Sequence, residues 1–200
     1  MYHPAALIIL EEHAAVAAVL RSLLALLRQG PADEPERFFD VLRAMLFYID
    51  EFPEQLHHPK ESNLLFPKLA RARPELMPVI RRLEADHMAG EGRVRELQHL
   101  LLAWELMGES RRAAFEQQAQ EYVRFYLDHM RTEETERLPA AETLLCQADW
   151  AELEAAFSAD RDPLAGGPRD RRYDRLFTRI VLAAPAPIGA GPSMESLLLP

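Results

Sequence analysis

"LHHPKESNLLFP", residues 56–67, and "YLDHMRTEETERLP", residues 126–139, carry one pattern twice. His57, Glu61 and Pro67 of the first return as His129, Glu133 and Pro139 of the second, 72 residues on (129 minus 57). A histidine and a glutamate four apart share one face of a helix, and a solvated face carries such pairs too, so one pair alone decides nothing. Recurrence at equivalent positions, closed each time by proline ten residues after the histidine, marks an internal repeat. The repeat extends upstream: "LEEH" ends at His13 and "LEADH" at His87, 74 residues apart (87 minus 13). Each precedes a His-x-x-x-Glu segment, so the order is His13, His57 with Glu61, His87, then His129 with Glu133.

Helical periodicity surrounds these residues, with few β-branched runs and little strict alternation, so the fold class is all-α. Leu7, Leu10, Ala14, Ala17 and Leu20 or Leu24 trace an apolar stripe from about Pro4 to Arg28, and "QGPADEP" (29–35) ends it. A second helix starts near Pro35, carries Phe38, Phe39, Leu42, Met45, Leu46 and Ile49 toward His57, and runs to about Ala70. Pro74 suits the first turn of a third helix reaching Met107, and Gly108 to Ser110 break the chain before a fourth, with Phe115, Tyr122, Phe125 and Tyr126 leading to His129. Four long helices with short connections are expected to form an antiparallel, up-down-up-down four-helix bundle over 1–145. Residues 146–182 read as a short C-terminal helical extension with Trp150, Leu153 and Phe157 as one docking face and Tyr173, Leu176, Phe177 and Ile180 as another. The Pro/Gly/Ala-rich run "APAPIGAGPS" (184–193) places a disordered tail at 183–200.

Two hundred residues with 48% hydrophobic content suffice for one buried core. A net charge of −9 and the absence of a long Lys/Arg cluster argue against nucleic acid. No segment approaches a membrane span, and the apolar run Ala5 to Leu10 is too short and too soon followed by glutamate for a signal peptide. A single cysteine, Cys146, forms no internal disulfide, is expected to be a small buried residue, and fits a cytoplasmic setting. No Gly-rich phosphate loop, G-x-S-x-G or Cys-x-x-Cys offers competing chemistry.

On a helix, His and Glu four apart project from one face about 6 Å apart along the axis, near enough to share a metal or bridge two. Imidazole nitrogen with carboxylate oxygen suits Fe, Mn or Zn. Such a cluster in a core is costly without a metal, because buried ionisable groups need partners. Four histidines and two glutamates are generous for one ion and natural for two, with both carboxylates bridging.

The order His, His-x-x-x-Glu, His, His-x-x-x-Glu, with "LFP" and "LP" closing the two Glu helices and "HHPKE" in the first, resembles the bacterial hemerythrin-like (HHE cation-binding) family over roughly residues 5–145. The resemblance implies two Fe ions in a non-haem di-iron centre held by His13, His57, Glu61, His87, His129 and Glu133, with O2 or NO as partner for sensing, detoxification or delivery. Mn or Zn remains possible at the same ligands. Oxygen-carrying hemerythrins have a His-x-x-x-His pair on the third helix, whereas here Glu91 stands four after His87, available as an additional ligand or as support. That departure leaves a di-iron oxidase or peroxidase, iron storage or donation, and a metal-stabilised regulatory interaction module as alternatives to a diatomic binder.

Several neighbours bear on the site. His58 lies about 100° round the helix from His57 and is read as supporting or solvent-facing, or as a possible additional ligand. Pro59 is expected to clash with the Gln55 carbonyl and kink the helix. Tyr126, one turn before His129, is a possible lining of the ligand pocket. His3 and His99 are read as surface residues. A ferritin-like arrangement needs two Glu-x-x-His pairs and two more glutamates from other helices; Glu84 with His87 has the pair spacing, but Tyr126 stands at the corresponding place before His129 and Leu10 before His13.

Overall fold

The computed structural model describes residues 2–168 and 171–190. These residues are predominantly helical, with no strand among them. Helix α1 is Pro4–Gln29. His3 caps it by accepting the Ala5 N–H at Nδ1, Pro4 occupies the first turn, and Gly30 at φ 71° closes it. Helix α2 spans 35–72 in successive stretches, Pro35–Ile49, Asp50–His57, His58–Lys60, Glu61–Leu65 and Phe66–Ala72. Helix α3 is Met77–Met107, and α4 spans 112–144 as Arg112–Thr132, Glu133–Arg137 and Leu138–Leu144. Gly108, at φ 82°, turns the chain between them in a left-handed conformation that favours glycine. Two shorter helices follow, α5 (Gln147–Ala159) and α6 (Asp174–Ala183).

The buried residues of α3 are Ile80, Leu83, His87, Gly90, Val94, Leu97, Leu101 and Trp104, an unbroken three-and-four stripe in which the histidine takes a core position. Helix α1 repeats this with Ile9, His13, Val16, Leu20, Leu23 and Leu27, and α4 with Phe115, Ala119, Tyr122, Tyr126, His129 and Glu133. On α2 the stripe Phe38, Leu42, Met45, Ile49 and Phe52 reaches His57 by a step of five, which an α-helix would aim away from the core. The π-helical stretch Asp50–His57 supplies the extra residue, with the His58 N–H donating to the Pro53 carbonyl five residues back. Wide turns also begin at the two repeat glutamates: the Phe66 N–H donates to the Glu61 carbonyl, and the Leu138 N–H to that of Glu133. Each sits just before a proline, Pro67 or Pro139, so the ten-residue step in the sequence encodes one device used twice.

The same widening accommodates Pro59, which lies directly after a π-helical stretch. Bonds there run to the fifth residue, so the carbonyl four back makes no demand on the missing N–H, and helical bonding continues through the proline.

Helix α1 packs on α2, α4 and α5, α3 packs on α2 and α4, and α6 lies on α2. Two apolar cores result. One gathers Leu20, Leu42, Tyr48, Val94, Trp104 and Phe115, and the other gathers Ile9, Phe66, Leu69, Leu83, Leu138 and Phe157. Every long helix crosses from one core to the other, and the polar residues of the repeat lie at the crossing. No helix among the described residues is long and apolar enough to span a membrane.

The expected docking faces of the extension are covered: Trp150, Leu153 and Phe157 are buried, as is Ile180, with Tyr173, Leu176 and Phe177 partly so. Residues 184–190, assigned from composition to a disordered tail, are packed chain. Ala184 is fully buried, the Ile188 N–H donates to Ser22 Oγ, and the Ala190 N–H to the Val181 carbonyl. Residues 191–200 of that tail lie outside the described residues. Cys146, expected in a core, is exposed, and its thiol meets the Asp149 carboxylate at the start of α5. His3, expected at the surface, is half-buried and stacks on Trp150 at 4.6 Å, whereas His99 is exposed.

Candidate metal centre

His13, His57, Glu61, His87, His129 and Glu133 all converge in the layer between the two cores, and each is at most 8% exposed. Their ligating atoms form two compact groups, one of Glu61, His87, His129 and Glu133 and one of His13, His57 and Glu61. His13 Nε2 lies 3.2 Å from His57 Nε2, and His87 Nε2 lies 3.1 Å from His129 Nε2. The two carboxylates stand between these pairs. Glu61 reaches His57 Nε2 at 3.3 Å with one oxygen and His87 Nε2 at 3.5 Å with the other. Glu133 Oε2 is 3.4 Å from both His13 Nε2 and His129 Nε2, and Oε1 is 3.7 Å from His87 Nε2.

Four ring nitrogens thus point inward at two carboxylates, and three of the outward nitrogens have hydrogen-bond partners, that of His129 having none. His57 Nδ1 donates to Glu12 at 2.7 Å, His13 Nδ1 to Glu134 at 3.1 Å, and His87 Nδ1 lies 2.9 Å from Ser62 Oγ. Asp86 stands 3.6 Å from His129 Nδ1. An acceptor on Nδ1 selects the tautomer whose Nε2 lone pair is free, which is how proteins orient metal-ligating histidines.

The set fits a cation. Both oxygens of Glu133 and one of Glu61 are buried without a hydrogen bond, although buried carboxylate oxygens ordinarily find a donor. Two imidazoles meeting nitrogen to nitrogen satisfy each other with at most one proton, and a metal ion at each pair would replace that compromise with two donated lone pairs. Without metal, burial and the neighbouring Glu61 charge push the Glu133 carboxyl up to about 7. Burial also raises Glu61, but His57 and His87 outweigh it and hold the carboxyl well below the usual range. His57 is held well above the usual histidine range because Glu61 and Glu12 overcome its desolvation.

Of the further residues singled out in the sequence, Tyr126 lines a small cavity beside His13 and His57, with room for about one water-sized molecule. His58 is buried, stacks on His87 at 3.9 Å, and has both nitrogens engaged, Nδ1 with Glu54 at 3.0 Å and Nε2 with the Tyr126 hydroxyl at 2.8 Å. One of its nitrogens also lies within 4.8 Å of a nitrogen of His87 and of His129. Glu91 is not brought to the site. Its side chain is 45% exposed and pairs with Arg95, because the core stripe of α3 passes through Gly90 and leaves position 91 facing outward.

Sequence reasoning missed the supporting carboxylates. Glu54 sits four before His58, the spacing already read at His57 and Glu61, and Glu12 immediately precedes His13 in the quoted "LEEH". Those signals were visible, whereas Asp162, whose backbone N–H donates to Glu12 at 3.0 Å, had none.

An all-helical chain with a buried layer of four histidines and two glutamates is a helical metal-binding protein of the imidazole-and-carboxylate type. The chain belongs to the hemerythrin HHE cation binding domain family, which it matches over residues 6–141. The donor set and the family together point to a metal that is typically iron. No curated protein sequence matches the chain.

Proposed function

We propose that this protein holds two iron ions, His13 and His57 serving one, His87 and His129 the other, with Glu61 and Glu133 shared, and that it binds O2 or NO. The observation that carries this reading is the unpartnered, fully buried Glu133 carboxylate between two inward-facing histidine pairs. Iron at these residues supplies an electron-rich centre that can bind a small diatomic ligand reversibly.

The chain's own residues shape that site. Phe52, Leu56, Val16 and Met130 give the small cavity beside His13 and His57 an apolar wall, the side on which a small ligand would approach. Tyr126 places its hydroxyl at the same cavity and is held there by His58. Such binding would serve sensing, detoxification or delivery.

We also read 1–145 as an up-down-up-down bundle and 146–182 as its extension. The order in which helices visit the cores supports the topology. Helices α1 and α3 run from the core of Ile9 and Leu83 to that of Leu20 and Trp104, and α2 and α4 run the other way.

Protein purified without oxygen tests the reading. About two irons per chain and a reversible optical change on adding O2 or NO are expected. A single zinc, or no spectral response from the iron-loaded protein, would refute it.

A further inference from the structure

Two of the four site histidines draw their Nδ1 hydrogen-bond partners from within the matched 6–141 region, Glu134 for His13 and Ser62 for His87, and His129 has Asp86 of the same region 3.6 Å from its Nδ1. His57 leans on Glu12, and both oxygens of Glu12 are committed. Oε2 accepts from His57 Nδ1 at 2.7 Å, and Oε1 accepts the Asp162 backbone N–H at 3.0 Å. Asp162 lies beyond the family domain, in the segment following α5. It is 4% exposed, and its own side chain locks the turn that presents its N–H. One oxygen accepts the Leu164 N–H at 2.8 Å, the other accepts the Tyr48 hydroxyl, and its carbonyl accepts the Ala165 and Gly167 N–H groups. The adjoining residues fasten the turn to α1 and α2, where Arg161 pairs with Glu11 and the Lys60 ammonium donates to the Asp160 carbonyl. Phe157 of α5 also meets the His57 ring edge to face at 5.6 Å.

We propose that Asp162 is a positioning residue of the metal centre, holding Glu12 and through it the His57 ring, so that the C-terminal extension completes a site the family domain does not finish by itself. The relay has two links. The side chain of Asp162 fixes its backbone N–H, and that N–H fixes the carboxylate that orients His57. A partner of a ligand's second nitrogen commonly contributes tenfold to a hundredfold in metal affinity, so the Asp162 turn controls the ion served by His13 and His57. The proposal rests on the metal reading above.

Anaerobic titration of the metal-free 200-residue chain with ferrous iron tests both claims separately. The wild type is expected to take up two equivalents. Asp162→Ala should weaken one of them by about tenfold, while Asp162→Asn, which keeps the oxygen for the Leu164 N–H, restores most of the affinity. In a Glu12→Ala background the Asp162→Ala change should shift affinity by less than about twofold, because the link it acts through is gone. Tyr48→Phe removes one anchor of Asp162 without emptying the core, and it reads the same effect in a smaller measure should Asp162→Ala not fold. In the metal-free protein, the slowly exchanging His57 Nδ1 proton resonance should be lost in Asp162→Ala. Unchanged iron affinity in Asp162→Ala, or an equal loss with and without Glu12, overturns the proposal while leaving the metal reading intact. A wild type that takes up no iron overturns both.

Discussion

Replacing Glu54 by Gln should change the pH dependence of folding of the metal-free protein in a calculable way. Glu54 is 7% exposed, and burial pushes its carboxyl from 4.5 up to about 7, against the opposing hydrogen bond from Tyr122. Below pH 4.5 the folded and unfolded chains both carry the proton and the site costs nothing. Between 4.5 and 7 the unfolded chain releases its proton while the folded chain keeps it, so stability falls as pH rises. A shift of about 2.5 units at about 1.4 kcal/mol each makes the full cost about 3 kcal/mol at pH 8, against about 1 kcal/mol at pH 5. Glutamine cannot ionise and retains both contacts: its oxygen accepts from the Tyr122 hydroxyl, and its amide donates to His58 Nδ1. Urea unfolding of both proteins at pH 5 and pH 8 measures the difference. Glu54→Gln should gain about 2 kcal/mol on the wild type between the two pH values. Parallel behaviour of the two proteins, or a wild type that gains stability toward pH 8 relative to the variant, would refute the reasoning.

Other perturbations probe the same layer. A Cβ at Gly90 would meet Glu54 Oε1 at 2.8 Å and Oε2 at 3.1 Å, and that carboxylate is tethered by Tyr122 and His58. Gly90→Ala should therefore cost about 1–3 kcal/mol in chemical unfolding, with the cost largely absent in a Glu54→Ala background. Tyr126→Phe leaves His58 Nε2 buried without its partner and should cost about 1–3 kcal/mol in the same assay. Iron at a hundredfold excess over Kd adds about 2.7 kcal/mol per occupied site, which for a chain of this size raises Tm by about 5–11 °C. Differential scanning calorimetry with and without ferrous iron checks this, and removing the metal with a chelator should reverse the shift.

Helix existence and the identity of the converging residues were legible from the chain because both rest on periodicity. Any α-helix with apolar residues at three-and-four spacing buries that stripe, and His13, His87 and His129 sit in such stripes. His57 was legible only through the repeat, since its step of five from Phe52 breaks the local period until a wide turn absorbs it. The expected clash at Pro59 assumed α-helical bonding on both sides, which the π-helical stretch before it does not have. Glu91 followed family spacing rather than this chain's stripe, which passes through Gly90.

By itself, then, the sequence determined which side chains share a helix face, because backbone geometry converts spacing into direction without reference to the rest of the molecule. Tertiary structure decided what each inward nitrogen or oxygen meets. Glu12, Glu54, Tyr126 and Asp162 acquire their partners across 45, 68 or 150 positions of sequence. Such contacts depend on the packing of whole helices and on where the chain returns after α5. No local pattern encodes that return, which is why the residue that holds Glu12 in place could be found only in the folded chain.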